Sequence, residues 1–157
     1  MKKLILCFIL LVFCGVNPLC AETGFGFGGF DMEKFVGRDT KNFLSDYLTA
    51  RFSVSNDMEK QRYNWEENGV VYKRSTPEIY WKFYEIEAKP LYGLMEKEKF
   101  SRIVSINEIK NGKEPNTYVA EMTFVDATKG TEGRHADYKA TLRLCGPKVC
   151  GFSINKR

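Results

Sequence analysis

The sequence predicts an α+β domain, with helices in its first half and a four-stranded antiparallel sheet in its second. Two observations carry this. Apolar residues recur at spacings of three, four and seven before residue 90, and at a spacing of two after Phe100. Helix-start signals punctuate the first stretch and turn signals the second. Helices followed by strands form the α+β order, in which helices cover one apolar sheet face. The 157 residues have room for one such domain. A hydrophobic share of 43% beside 28% charged is ordinary globular composition. The 14% aromatic share suits a single well-filled core.

The first helical stripe runs through Met32, Phe35, Val36, Phe43, Leu44, Tyr47, Leu48 and Phe52. Asp31 is its candidate cap, and Gly37 weakens its middle, which moves the expected start to Asp39. Ser55-Asn56-Asp57 opens a second helix that runs to Trp65 and closes near Asn68-Gly69. A third begins at Ser75-Thr76-Pro77-Glu78, with Thr76 as cap and Pro77 at the first helical position. Ile79, Tyr80, Phe83, Tyr84 and Ile86 line its inner side, and Pro90 is expected to end it. A short helix fits residues 91–99. Tyr80, Trp81 and Tyr84 give the third helix more apolar circumference than one core face needs, which points to a partner or a pocket.

Strands are expected over residues 101–109, 117–125, 137–145 and 149–154. Tyr118, Ala120, Met122 and Phe124 share one face of the second, and Tyr138, Ala140, Leu142 and Leu144 share one face of the third. Asn111-Gly112 closes the first hairpin and Gly146-Pro147-Lys148 the last.

The chain start reads as an address. Met1-Lys2-Lys3 is basic, and residues 4–16 form an unbroken apolar run of 13. A membrane span needs about 20 apolar residues, so this length fits a bacterial export signal. Cleavage is expected after Ala21. An uncleaved short anchor is the competing reading, because Leu19 makes a mediocre cleavage signature. Lipid attachment at Cys14 or Cys20 is disfavoured by bulky Phe13 and Leu19 before them. Residues 1–21 are thus a signal peptide or short anchor, residues 22–31 a glycine-rich linker and residues 32–157 the domain. Gly24, Gly26 and Gly29 match a dinucleotide-loop spacing, but no strand precedes them and no βαβ unit follows.

Without the first 21 residues, two of five cysteines remain, Cys145 and Cys150, and the net charge falls from +4 to +2. In an oxidising compartment these two are expected to pair across the last hairpin. Their spacing excludes a redox C-x-x-C pair, and two thiols with one distant histidine support no zinc site. His135 is expected in a polar loop beside Asp137, with no nucleophile marked near it. Glu66, Glu67, Glu85 and Glu87 read as solvated helix faces. Lys97, Lys99 and Arg102 alternate with Glu96 and Glu98, so no phosphate-tracking surface is built. No catalytic residue, metal or cofactor is expected, and no nucleic acid as partner.

The order of several segments resembles the periplasmic domain of the VirB-eight family, an inner-membrane assembly component of bacterial type IV secretion systems. Residues 43–51 (FLSDYLTAR) look like its first-helix pattern. Tyr72-Lys73-Arg74-Ser75-Thr76-Pro77, leading into Tyr80 and Tyr84, is similar to its serine-centred helix start. Residues 103–109 correspond to its first strand, Tyr118-Val119-Ala120-Glu121-Met122-Thr123-Phe124 looks like its central strand, and Tyr138-Lys139-Ala140-Thr141-Leu142 resembles its aromatic-x-Ala-Thr-Leu strand. Gly151-Phe152-Ser153-Ile154 sits where the family has Asn-Pro-Leu-Gly-Phe, with the first three replaced by Lys148-Val149-Cys150. The resemblance covers residues 41–154.

It implies a nuclear-transport-factor-two-like cone, with N-terminal helices packed on a curved four-stranded antiparallel sheet. It implies a non-enzymatic subunit in the periplasm that self-associates and contacts other secretion components. Tyr47, Ala50, Arg51, Ser75, Tyr80, Tyr84, Thr141, Gly151 and Phe152 are its motif and interface candidates. The family usually has a full transmembrane helix before this domain, whereas only the short apolar run stands here. A soluble periplasmic version is therefore expected, with membrane contact confined to the N-terminal segment. The alternative places a small-ligand site or an enzyme in the cone. It lacks support because the predicted inner strand faces carry no Asp, Glu or His, and only Tyr118 and Tyr138 have polar tips.

Overall fold

The computed structural model describes residues 32–131 and 133–157. The expected export segment and linker, residues 1–31, lie outside the described residues. Residues Phe35–Arg157 form one compact unit.

Helix α1 spans Met32–Phe52 and runs through Gly37, so it does not wait for Asp39. One glycine costs about 1 kcal/mol in a helix interior. The buried stripe of Leu44, Tyr47, Leu48 and Phe52 outweighs that. Helix α2, Met58–Trp65, starts on Asp57, whose carboxylate accepts from the Glu59 and Lys60 amides. Beyond it Asn68 takes a left-handed φ of 69° and ends the run. The five-residue helix α3, Val70–Arg74, was not expected. It is too short to show a period, and it is held by Val71, which is fully buried.

Helix α4 covers Pro77–Phe83. Thr76 stands at its cap position with extended backbone, but its side chain makes no capping bond. Its amide instead donates to the Val149 carbonyl at 2.9 Å. The helix does not stop before Pro90. A π-helical turn over Tyr84–Ala88 follows, then helix α5 over Lys89–Glu98. Proline lacks an amide and its ring crowds the carbonyl four residues back. Widening the turn just before it, with the Lys89 amide on the Tyr84 carbonyl, carries the chain past that obstacle. The extra residue also shifts the helical phase. Ala88 is buried, whereas Ile86, expected on the inner stripe, is 65% exposed.

Strands β1 (Ser101–Asn111), β2 (Thr117–Ala127), β3 (Arg134–Cys145) and β4 (Lys148–Lys156) form an antiparallel meander in the order β1-β2-β3-β4. The expected α+β class is thus the observed one. His135 lies within β3 opposite Val125, not in a loop, and is exposed. Ala120, Met122, Phe124, Ala140 and Leu142 alternate onto the inner face and are buried there. Phe52 at the end of α1 fills the space over them, 5.2 Å from Phe124 and 5.7 Å from Phe152 between ring centres. The β3–β4 turn needs Gly146, whose φ is 60°. Cys145 and Cys150 are joined across this turn, with Cα atoms 5.7 Å apart.

Candidate functional site

The last turn of α1 points Arg51 inward, four residues after Tyr47 and on the same helix face. Arg51 is only 3% exposed. Burying an unpaired charge is costly, so its partners decide whether it can sit there. Its Nη2 donates to Glu87 Oε1 at 2.5 Å and its Nε to Glu87 Oε2 at 3.3 Å. Its Nη1 donates to the Tyr47 hydroxyl at 2.8 Å, which also accepts from Ser75 Oγ at 3.3 Å. The guanidinium plane lies over Phe152 at 3.9 Å and Phe83 at 4.9 Å. Burial alone would lower the Arg51 pKa, but Tyr47 and Glu87 more than offset it and hold the pKa above its ordinary value.

Trp65 braces the same helix end. Its indole Nε1 donates to the carbonyls of Ala50 and Arg51 at 2.9 and 3.1 Å, two of the acceptors a helix terminus leaves open. Tyr80 donates from its hydroxyl to the Trp65 carbonyl at 3.1 Å. The Tyr92 hydroxyl is buried beside this group without a partner. Burial pushes the Tyr92 phenol up to about 12 and the Tyr80 phenol upward as well.

The nine motif residues therefore divide. Tyr47, Ala50, Arg51, Ser75 and Tyr80 are buried, so they shape a surface from beneath. Tyr84, Thr141, Gly151 and Phe152 are half-buried. Tyr47, Arg51, Ser75 and Phe152 meet in one cluster. Tyr80 and Tyr84 stack with ring centres 5.8 Å apart. Thr141 falls between buried Ala140 and Leu142 and so faces the opposite side of the sheet. Glu87 was missed as a partner and misread as a solvated face. It stands 36 residues from Arg51, and only the π turn brings it inward.

Above this cluster lies a groove of about 160 Å³ between the α4 helix and β4. Ile79, Lys82 and Ile86 form one wall, Phe152 and Ile154 the other, and Arg51 with Glu87 the floor. A second, open cleft of about 380 Å³ lies at the far side of the sheet, between Leu94, Phe100, Asp126 and Arg134. In the larger cleft the hydroxyls of Thr128 and Thr131 bond each other, and Asp126 is held by Arg102. The groove's one carboxylate, Glu87, is engaged by Arg51. Among the described residues no group of three His, Cys, Asp or Glu could hold a metal ion. Among them, too, no helix is long and apolar enough to cross a membrane. The arrangement offers a shaped, partly apolar surface on a rigid polar base.

No protein-family model matches the sequence, and no curated protein matches it. Solved structures do. The TraE protein in complex with 4-(1H-pyrrol-1-yl)pyridine-2-carboxylic acid superimposes with a TM-score of 0.61 at 15% identity, over 76% of this chain and 96% of that one. VirB8 of Agrobacterium tumefaciens matches with a TM-score of 0.61 at 14% identity, over 75% of this chain and 90% of that one. A TrwG component of a type IV secretion system from Bartonella birtlesii gives the same figures. The likeness is one of fold. The chain has the α+β, nuclear-transport-factor-two-like fold of these VirB8-like proteins.

Proposed function

We propose that this protein is a non-enzymatic assembly subunit of a bacterial type IV secretion system, acting by protein contacts in the periplasm. The shared fold, which spans 90% of the VirB8 and TrwG chains, is the observation that carries this reading. Two features support it. The inner sheet face is filled by Ala120, Met122, Phe124, Ala140 and Leu142, all apolar, where an enzyme of this fold class would need an acid or base. The helical layer displays Ile86 on the groove wall at 65% exposure and Trp81, packed beside Tyr84, at 45%. Exposed apolar groups of that size suit contact with other secretion components or with a second copy.

Export delivers the chain to the periplasm, where the Cys145–Cys150 pair stays oxidised. Cross-linking in cells that carry a secretion apparatus tests the reading. Other secretion components should be retrieved with the protein, and deleting its gene should stop substrate transfer. A protein recovered only as a monomer, with transfer unchanged by the deletion, would overturn it. Fractionation and N-terminal sequencing test the export step, with a mature start at Glu22 expected. Two free thiols on the exported protein would rule out the disulfide there.

A further inference from the structure

We infer that the outer edge of β4, with the helix wall above it, forms a groove for an extended, acidic peptide segment of a partner protein. The backbone supplies the first argument. The Arg157 amide donates to the Asp137 carbonyl, so Arg157 faces β3. Antiparallel ladders alternate, and Asn155, Ser153 and Gly151 therefore face β3 as well. Phe152 and Ile154 turn their amides and carbonyls away from β3, along the outer edge of the sheet. An edge of this kind is a template for strand addition.

The edge already accepts a short strand at one point. Ser75 bridges Val149 in parallel, with the Thr76 amide on the Val149 carbonyl. Pro77 then turns the chain into α4, and among the described residues no further backbone bridge to the β4 edge follows. The π turn adds the second argument. It rotates Ile86 onto the groove wall beside Ile79, a distortion that serves no burial of Ile86 itself. Inward side chains of an added strand would pack on these two.

Charge selects the occupant. Lys82 stands on the helix wall. On the other sheet face, Arg143 lies against Gly151, where an added Cβ would meet the Arg143 Cβ at 3.0 Å. Gly151 lets this long basic side chain lie close beside the edge strand. Among the described residues neither Lys82 nor Arg143 enters an ion pair. Strand β4 itself reads KVCGFSINK, with basic residues and no acidic one. A second copy pairing through the same edge would set like charges together, which disfavours it. In a hydrophobic–acidic alternating segment of a different protein the apolar side chains would meet Ile79 and Ile86, with Lys82 at the groove rim, and the carboxylates would share the face of Arg143.

This inference rests on the reading that the protein works by protein contacts. The test uses the full chain, isotope-labelled, with a blocked peptide of about eight residues alternating valine and glutamate, long enough to cover the open edge. The Phe152 and Ile154 amides should shift and exchange more slowly when it binds. Ile86→Glu and Arg143→Glu, both at exposed positions, should each weaken binding about tenfold. A valine–lysine peptide should bind at least tenfold more weakly than the valine–glutamate peptide. Equal binding of the lysine peptide, or shifts confined to other amides, would overturn the inference. So would protection of Phe152 and Ile154 without peptide in a concentration-dependent dimer, since a second copy would then be the occupant. Failure of the peptide beside successful cross-linking to secretion components removes the groove and leaves the proposed function standing. Peptide binding without any such cross-link does the reverse.

Discussion

Each edge of the sheet carries an arginine that is forked onto a carboxylate and stacked on phenylalanine. At the β1 edge Arg102 donates to Asp126 at 2.5 and 2.8 Å, over Phe124 at 4.8 Å. Beneath the β4 edge Arg51 does the same with Glu87 over Phe152. The parts match, but the surroundings differ. Arg102 and Asp126 sit directly opposite on adjacent strands, 17% and 32% exposed. Arg51 is 3% exposed and joins α1, the π turn and β4. The backbone differs too. Both main-chain groups of Arg102 are taken by Val54, at 2.9 and 3.0 Å, which closes that point of the edge. Among the described residues the β4 edge is bridged at Val149 alone, through one backbone bond from Thr76. Each edge is thus bridged at one point, and what separates the two arginines is burial and the groove above Arg51. The lesson is that an ion pair's worth follows from what lies around it, not from its geometry alone.

Single substitutions test this directly. Arg51→Ala leaves Glu87 and Tyr47 without their cation and opens a void against Phe152. It should cost about 3–5 kcal/mol in urea unfolding, as removal of one partner of a buried pair does. Arg102→Ala should cost about 1 kcal/mol, because solvent reaches the pair and the cross-strand ladder remains. Equal losses would mean that burial does not separate the two sites. Arg51→Lys keeps the charge but not the planar fork, and should fall between them.

The next largest effect concerns how each edge strand is anchored. Strand β4 begins at a hairpin closed by Cys145 and Cys150, separated by 5 in sequence. Closing so short a loop is worth about 2 kcal/mol by chain entropy. Replacing both cysteines with serine, or adding reductant to the wild type, should lower stability by that amount. The change should be felt first as faster amide exchange in β4, with β1 unaffected. Uniform loosening of all four strands would show that the hairpin does not set the local stability of its edge.

The sheet was legible from the chain because alternation is local. Tyr118 to Phe124 and Tyr138 to Leu144 declare their faces two residues at a time, and the observed strands keep those faces. The helix start at Ser55-Asn56-Asp57 could be read for the same reason, though not which of the three is the cap. The groove was not legible. Its wall depends on a π turn that no spacing announces, so Ile86 was placed inside and Glu87 in solvent. Pro90 reads locally as a stop, because the widened turn that admits it is a property of the whole helix. The Arg51–Glu87 pair joins positions 36 residues apart and appears only once α1 and the π turn pack together. Motif residues such as Tyr47, Ser75 and Phe152 could be picked out, but not the fact that they converge under one surface.

The smallest predicted effects separate two tyrosines of the helical layer, Tyr80, which is buried, and Tyr92, whose hydroxyl is buried. Tyr80 donates to the Trp65 carbonyl, so Tyr80→Phe removes a satisfied bond and should cost about 1 kcal/mol. Tyr92 holds its hydroxyl without a partner, so Tyr92→Phe should be neutral or slightly stabilising. The pH dependence follows from the same burial. An unfolded tyrosine ionises near pH 10, about 10 being its ordinary pKa. Burial holds the folded Tyr92 neutral up to about 12. A raised phenol pKa gives stability that is complete below the unfolded value and lost as pH climbs through the folded one. Unfolding followed from pH 9 to about 12 should therefore show a steep alkaline loss, shallower in Tyr92→Phe by one titrating group. An alkaline profile identical in the two proteins would mean that the Tyr92 hydroxyl meets solvent after all, and that this side of the helical layer is looser than the base beneath the β4 groove.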